Sequence, residues 1–203
     1  MSHRRRTGNI LIITGLILIG ICAFIYLYSN VYKRHQGEVK TERVQEELYD
    51  KFTEGEDYEI SVPEENEEEY KYVDMVNPIA YIYIPKIGVK AVVADGTEDS
   101  ILRYAVGHFE GSAMPGEKGN CALAGHRNYD TGEFFLKINK LNQGDDIIIS
   151  THEKTFNYKV TESFVVNPED TYVVDNTEGF QITLVTCTYN GKQRLVVRGE
   201  LEE

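Results

Sequence analysis

Short runs of apolar and β-branched residues alternate with turn residues through most of the chain after residue 77. Runs of this kind, bounded by Gly, Pro, Asn and Asp, are typical of β-strands. The segments with this pattern are IAYIYIP, VKAVVADG, CALAGHR, DDIIIST, KTFNYKVTESFVV, QITLVTCTY and QRLVVRGEL. In a further segment, FFLKINKL, Phe134, Ile138 and Leu141 share one helical face. Many strands with one or two short helices predict a mainly β fold, a closed or nearly closed β-barrel.

The beginning of the chain has a different pattern. Ile10 to Tyr28 is nineteen residues without a charge, and a helix of this length spans about 30 Å, the thickness of the hydrocarbon core of a membrane. A cleaved signal peptide would have an apolar region of about 7 to 15 residues and then a small-residue cleavage site. Bulky residues follow here instead, so residues 10–29 are interpreted as a single transmembrane helix.

The charges that flank this helix predict its orientation. Arg4, Arg5 and Arg6 precede it, and after Lys33 and Arg34 acidic residues dominate. Positive charge is enriched on the cytoplasmic side of membrane helices. We therefore expect residues 1–9 in the cytoplasm and the remainder of the chain outside the cell.

The formal net charge of −12 is concentrated just after the predicted membrane helix. Residues 36–74 carry 15 acidic and four basic side chains and few apolar ones, a composition typical of a solvated chain. Residues 30–76 are therefore predicted to be an acidic extracellular linker. Val44, Leu48 and Phe52 recur at helical spacing within it, which allows a short helix there.

The remaining residues, 77–203, form the predicted folded domain. Residues 75–203 carry 18 acidic and 12 basic side chains, and nothing in this balance suggests a nucleic-acid-binding function, which needs a basic face.

Three cysteines are distributed along the chain. Cys22 lies in the predicted membrane helix, and Cys121 and Cys187 lie in the exported domain. Two cysteines in an exported domain can form a structural disulfide. A non-catalytic anchored barrel with a Cys121–Cys187 disulfide is therefore one hypothesis for this protein.

The second hypothesis begins with the hairpin that follows Cys187. The Asn-Gly pair at 190–191 predicts a type I′ turn, and counting back from it places Cys187 opposite Arg194 on one face. Arg198 would oppose Thr183, about 13 Å away along the strand. A guanidinium next to a thiol favours the thiolate and can stabilise an oxyanion, which are two requirements of cysteine acyl transfer.

A thiolate also needs a partner for proton transfer. In the strand CALAGHR, alternation places Ala122, Ala124 and His126 on one face and Cys121 and Leu123 on the other. The histidine would then lie on a face of small residues against which a peptide fits, and Cys121 would be a buried core residue.

The other histidines of the domain carry weaker signals. His108 lies in a glycine-rich loop, as a second site histidine or a hydrogen-bonding residue of the loop, and His152 is expected to be exposed beside Glu153. No histidine spacing or acidic loop pattern predicts a metal site, so neither a metal nor another cofactor is expected.

The segments GHFEGSAMPGEKGNCALAGHR and TLVTC and the arginine strand after them resemble the sortase family, the membrane-anchored cysteine transpeptidases of Gram-positive-type envelopes. The resemblance covers about residues 77–201. It implies an eight-stranded β-barrel in which Cys187 is the nucleophile, His126 the general acid and base, and Arg194 the residue that stabilises the oxyanion.

The same resemblance implies a substrate groove lined by Ala124, Val185 and Thr186. The substrates would be surface proteins with an LPXTG-like sorting signal, cleaved between Thr and Gly, and the acceptor would be an amine of a peptidoglycan precursor or a pilin. Water as the acceptor would give a cysteine hydrolase that releases surface proteins, which is the remaining alternative.

The chain has no Asp-Pro lid and no long insert before the cysteine strand, and it ends right after its last strand, features that favour a class A or class D-like member, with class D preferred.

Overall fold

The computed structural model describes residues 2–55, 73, 75–127 and 134–202. The chain divides into two compact units, Met1–Val39 and Lys40–Glu203. The long helix α1 (Ser2–Glu54) begins in the first unit and ends in the second.

The first unit is the amino-terminal part of α1. Its segment Ile13–Lys33 has a mean hydropathy of 1.8 and is long enough to cross a membrane. Length and composition alone do not separate an anchor from a signal sequence near an amino terminus, so the apolar helix is consistent with either. The predicted span at residues 10–29 overlaps this segment.

The second unit is a closed β-barrel, as predicted. Its eight strands are β1 (Pro78–Ile84), β2 (Val89–Asp95), β3 (Val106–His108), β4 (Gly119–Ala124), β5 (Asp146–Ser150), β6 (Thr155–Val166), β7 (Phe180–Cys187) and β8 (Arg194–Leu201). They close in the order β1-β2-β3-β4-β7-β8-β6-β5. The short helix α2 (Asp99–Leu102) and three 3₁₀ turns, Pro85–Ile87, Ile138–Lys140 and Thr171–Val174, complete the described elements.

Strand alternation separates the barrel interior from its outer surface. In β1, Ala80, Ile82 and Ile84 are fully buried in the main core, and the residues between them are partly exposed. Apolar side chains that alternate in this way close a barrel because each strand contributes one face to a common core.

The strand β3 was missed by the pattern of the sequence. It has three residues, pairs in parallel with β2 and antiparallel with β4, and contains Gly107. A Cβ at this glycine would lie 2.4 Å from the backbone oxygen of Gly96. The close approach of two backbones therefore requires glycine where a strand pattern would show an apolar side chain.

The end of α1 packs on the barrel, which differs from the solvated linker expected there. Val44 and Leu48 are buried against Val92 and Ala94 of β2, and the Gln45 side chain accepts a 2.7 Å hydrogen bond from the Val92 amide. The apolar spacing noted in the sequence is thus the buried stripe of a docked helix. The acidic residues on its other faces concealed it in the composition.

The segment between β6 and β7 covers the outer face of the sheet. Val173, in the 3₁₀ turn of this segment, packs with Val166 and with Val196 of β8. The fully buried Asn120 of β4 donates from its side-chain amide to the carbonyls of Val173 and Asp175, each at 3.1 Å. This segment therefore rests against the same face of the sheet on which the candidate site lies.

Candidate active site

The ends of β4 and β7 lie side by side in parallel. Ala124 is paired with Val185, and beyond it the amide of Gly125 donates to the carbonyl of Val185 at 3.2 Å. The Ala124–Val185 pair is the last paired position of the two strands, and His126 and Cys187 each lie two residues beyond it. The two residues that the sequence singled out independently therefore follow adjacent, parallel strands at the same end of the sheet.

Gly125 is required at this point by packing. A Cβ on it would lie 2.7 Å from the ring of Phe135, which is fully buried in the core. The chain after β4 therefore passes over the Phe135 ring. The Phe135 amide donates a 3.3 Å hydrogen bond to the carbonyl of His126. The glycine of the LAGHR motif thus leaves room for the Phe135 ring next to the histidine.

The strands β7 and β8 have the predicted register. Cys187 is paired with Arg194, and Thr183 is paired with Arg198. Arg198 forms an ion pair with Glu162 at 3.0 Å. Of the two candidate arginines, Arg194 is thus the one opposite the cysteine.

The turn of this hairpin is not the predicted type I′ turn. Gly191 has a φ of +69°, but Asn190 does not have a positive φ, as a type I′ turn requires. The Gly191 amide donates to the carbonyl of Thr188 at 2.8 Å, and the Thr188 amide donates to Gln193 at 2.9 Å, which leaves a four-residue loop. Both turns give the same pairing, so the register was right although the turn type was wrong.

The Arg194 guanidinium is turned toward this loop. It donates from Nη1 to the carbonyls of Gly191 at 3.4 Å and Gln193 at 3.3 Å. The pairing brings the backbones of Arg194 and Cys187 together, while the charged group lies over its own hairpin.

The two cysteines of the domain lie on opposite faces of the sheet. Cys121 is 1% exposed in the barrel core, as predicted, and burial, with a smaller contribution from Glu117, raises the pKa of its thiol to about 12. Cys121 is paired with Ile182, five residues before Cys187 on β7 and so about 16 Å from it. Both thiols are free, and the hypothesis of a Cys121–Cys187 disulfide is wrong because the strands hold the two sulfurs apart on different faces.

The residues expected to line the substrate groove occupy two different faces. Ala124 and Val185 share the outer face with Cys187 by strand alternation. Thr186 points into the barrel, and its hydroxyl donates to the carbonyl of Gly125 at 2.7 Å. Two of the three side chains therefore lie on the face of the cysteine, and the third supports the strand end from below.

The remaining histidines of the domain lie elsewhere. His108 is buried, with Nδ1 3.0 Å from Oδ1 of Asp95 and Nε2 2.9 Å from Oγ of Ser112 and 3.1 Å from the carbonyl of Ala113. The loop position expected for it is wrong, because His108 is the last residue of β3, and its ring forms hydrogen bonds with the loop that follows. The ring of His152 lies 4.2 Å from that of Phe52. Among the residues described, no group of three or more His, Cys, Asp or Glu side chains lies together as metal ligands.

Arg127 contacts Cys187 and Tyr189 at this site, and no role was assigned to Arg127 from the sequence. The Arg127 guanidinium donates to the carbonyl of Cys187 at 3.4 Å and lies 4.0 Å from the centroid of the Tyr189 ring. The position of Arg127 directly after His126 was visible in the sequence. Its contacts were not, because they join residues about sixty positions apart.

A family comparison agrees with this geometry. Residues 82–202 match the model of the sortase domain. The chain belongs to the sortase family. This confirms the resemblance of the LAGHR and TLVTC segments to that family.

Individual sortases of several classes are similar to this chain. Sortase SrtE1 of Streptomyces coelicolor is 31% identical over 98% of this chain and 57% of that protein. Sortase A of Listeria monocytogenes is 33% identical over 62% of this chain and 57% of that protein, so the chain spans a little over half the length of these two curated relatives. A solved Clostridium perfringens sortase D5 transpeptidase is 38% identical, with a TM-score of 0.63, and the match covers 81% of this chain and 99% of that one.

Proposed function

We propose that this protein is a membrane-anchored cysteine transpeptidase that cleaves an LPXTG-like sorting signal between Thr and Gly. The observation that supports the proposal is the parallel pairing of β4 and β7 up to Ala124 and Val185, two residues before His126 and Cys187. Membership of the sortase family supports the same reaction class.

The chemistry follows from the three side chains at the end of the sheet. The Cys187 thiolate attacks the threonine carbonyl, a thioester forms, and the Thr-Gly amide bond breaks. His126 donates a proton to the departing glycine amine and later takes one from the incoming amine. Attack by that amine releases Cys187 and leaves the surface protein joined to the acceptor through a new amide bond.

Arg194 is assigned to the oxyanion that forms during attack. Its present acceptors are neutral loop carbonyls at 3.3 and 3.4 Å, and hydrogen bonds of this length are weak. A developing negative charge on the substrate oxygen is a stronger acceptor for a guanidinium. In the proposed mechanism the side chain leaves the carbonyls of Gly191 and Gln193 and donates to the substrate.

Ala124 and Val185 are proposed to line the groove beside the scissile bond. Both lie on the face of Cys187, and their small and branched side chains leave room for an extended peptide against the sheet. Thr186 is proposed to contribute through its backbone, because its hydroxyl is bonded to Gly125.

The proposed location follows from the apolar segment of α1. Residues 10–29 would anchor the protein in the cell membrane with residues 1–9 in the cytoplasm, and the catalytic domain would face the wall. The acceptor would be the amine of a peptidoglycan precursor or another wall amine. Within the family, the class D-like assignment is supported by the likeness to the C. perfringens sortase D5.

Product analysis tests the reaction class. The full chain in detergent is incubated with a panel of LPXTG-like peptides, with and without an added amine such as triglycine. We expect cleavage after threonine and an amide product that increases with the amine, and we expect His126→Ala to abolish both. Release of the free threonine acid at an unchanged rate in the presence of amine would instead identify a hydrolase.

A further inference from the structure

Arg127 has several contacts at the candidate site, although the proposed mechanism gives it no part in the reaction. Its guanidinium contacts the carbonyl of Cys187 and the ring of Tyr189, as described above. It also donates from Nε to the carbonyl of Leu136 at 3.3 Å and from Nη2 to Oδ1 of Asn139 at 2.9 Å. Three nitrogens of one rigid fork thus point at three different acceptors. Such a side chain fixes the relative positions of the groups it binds.

One side of this fork rests on a rigid base. Leu136 and Asn139 belong to the turn after β4, whose Phe135 and Ile138 are fully buried in the main core. The guanidinium is therefore held by a part of the chain that cannot shift without disturbing that core.

The other side of the guanidinium contacts the end of β7, the strand that carries the proposed nucleophile. The acceptor there is the backbone carbonyl of Cys187 itself, the last residue of β7. The Tyr189 ring, 76% exposed, stacks on the same guanidinium. Tyr189 begins the loop that leads to Arg194, so the stack also orients the start of that loop.

We propose that Arg127 is a positioning residue for the His126–Cys187 pair. It ties the carbonyl of the nucleophile's own residue to the core turn that follows His126, and so sets the separation of the imidazole and the thiol. The inference rests on the proposed function, because it takes these two groups as the reacting ones. Lysine cannot replace arginine in this role, since one ammonium cannot reach three acceptors in fixed directions and also stack on a ring.

The steady-state test compares Arg127→Ala and Arg127→Lys with wild type and with Arg198→Ala. Arg198 is a matched control, because its guanidinium also donates to a side chain, here Glu162 at 3.0 Å, and also lies near an aromatic ring, 5.0 Å from that of Phe164. Misplacing reacting groups by about 1 Å costs on the order of 100-fold in rate. We expect kcat to fall about 10- to 100-fold in both Arg127 variants, with KM close to that of wild type, and Arg198→Ala to retain the wild-type kcat.

Two further readouts separate positioning from a purely structural role. Added guanidinium ion should restore part of the kcat of Arg127→Ala and none in Arg127→Lys, whose ammonium occupies the site. Tyr189→Leu should lower kcat more than Tyr189→Phe does, because phenylalanine keeps the ring that stacks on the guanidinium. The pH profile of Cys187 alkylation by iodoacetamide should also shift in Arg127→Ala toward that of His126→Ala.

The possible outcomes distinguish this inference from the proposed function. A wild-type protein that cleaves no peptide contradicts the proposed function, and the alkylation profiles then still test whether Arg127 couples His126 to Cys187. An active wild type with unchanged kcat in Arg127→Lys and Tyr189→Leu overturns the positioning role. A raised KM with unchanged kcat also overturns it, since Arg127 would then bind the peptide directly. If Arg127→Ala does not fold, the lysine and Tyr189 variants decide the question.

Discussion

The hydroxyl of Thr186 donates a 2.7 Å hydrogen bond to the carbonyl of Gly125. Thr186 directly precedes Cys187, and Gly125 directly precedes His126. The bond lies on the interior face of the sheet, with Thr186 only 3% exposed. The residues that precede the two proposed reacting residues are therefore hydrogen-bonded to each other on the interior face of the sheet.

Replacing Thr186 by valine tests this bond with little change of shape. The substitution leaves the Gly125 carbonyl without its side-chain donor, and an unsatisfied buried polar group costs about 1–3 kcal/mol. We expect the free energy of unfolding to fall by about that amount and kcat to fall as well, as the strand ends loosen. Urea unfolding and steady-state kinetics measure the two effects.

Thr186→Ser is the matched control for that substitution. Serine keeps the hydroxyl and loses one methyl group, so kcat should remain close to that of wild type. Equal losses of kcat in the serine and valine variants would show that the methyl group, and not the hydrogen bond, supports the site.

Asn120 is predicted to hold the segment between β6 and β7 on the sheet. Its amide donates to Val173 and Asp175, and its carbonyl oxygen accepts from the hydroxyl of Thr183 at 2.8 Å. Asn120→Ala leaves these partners without their hydrogen bonds, and each buried polar group left unsatisfied lowers the free energy of unfolding by about 1–3 kcal/mol. We expect a loss of at least about 2 kcal/mol in urea unfolding, together with faster amide hydrogen exchange in residues 171–174.

A second asparagine of the barrel serves as the control for Asn120. Asn157 is partly exposed, and its side chain donates to Glu202 at 2.8 Å. It lies on β6, which pairs with the edge of β8 that does not face β7. Asn157→Ala should change the free energy of unfolding by less than about 1 kcal/mol and leave exchange in residues 171–174 unaltered. Equal effects of the two substitutions would contradict the role assigned to Asn120.

The two thiols of the domain should differ in reactivity with pH. Burial raises the pKa of Cys121 to about 12, so its thiolate is scarce at pH 8.5 and the core also shields it. We expect iodoacetamide at this pH to modify Cys187 and not Cys121 in the folded protein, and both after unfolding. Peptide mass mapping distinguishes the sites, and rapid modification of Cys121 in the folded protein would contradict its burial.

The same shift predicts how stability changes in alkaline solution. Above about pH 9 the unfolded chain releases the Cys121 proton, while the folded chain keeps it until its pKa of about 12. The folded state then binds more protons, so its stability falls as the pH rises through this range. Cys121→Ala should have a shallower loss of stability between pH 9 and 11, measured by urea unfolding.

Local patterns predicted those parts of the site that depend on one strand or one hairpin. The pairing of Cys187 with Arg194 followed from counting through a turn, and the inward position of Cys121 followed from alternation along β4. The turn type was wrong because a four-residue loop with one left-handed glycine gives the same register as a two-residue turn. Register was thus a more secure prediction than backbone conformation.

Features that depend on contacts between distant segments were not predictable in this way. The three-residue strand β3 is too short for a periodic pattern, and the docked end of α1 was concealed by its acidic residues. The contacts of Arg127 with Cys187 and Tyr189 and the hydrogen bonds of Asn120 join residues more than fifty positions apart. They arise from how the closed barrel brings strand ends together, which no local pattern encodes.

The most direct test of the central claim is the intact mass of the full chain mixed with an LPXTG-like peptide and quenched in acid before turnover is complete. We predict an adduct with the mass of the peptide up to its threonine, located on Cys187, removed by hydroxylamine, and present in Cys121→Ala but not in Cys187→Ala. Cleavage of the peptide by Cys187→Ala at the wild-type rate, or an adduct on any other residue, would contradict the account.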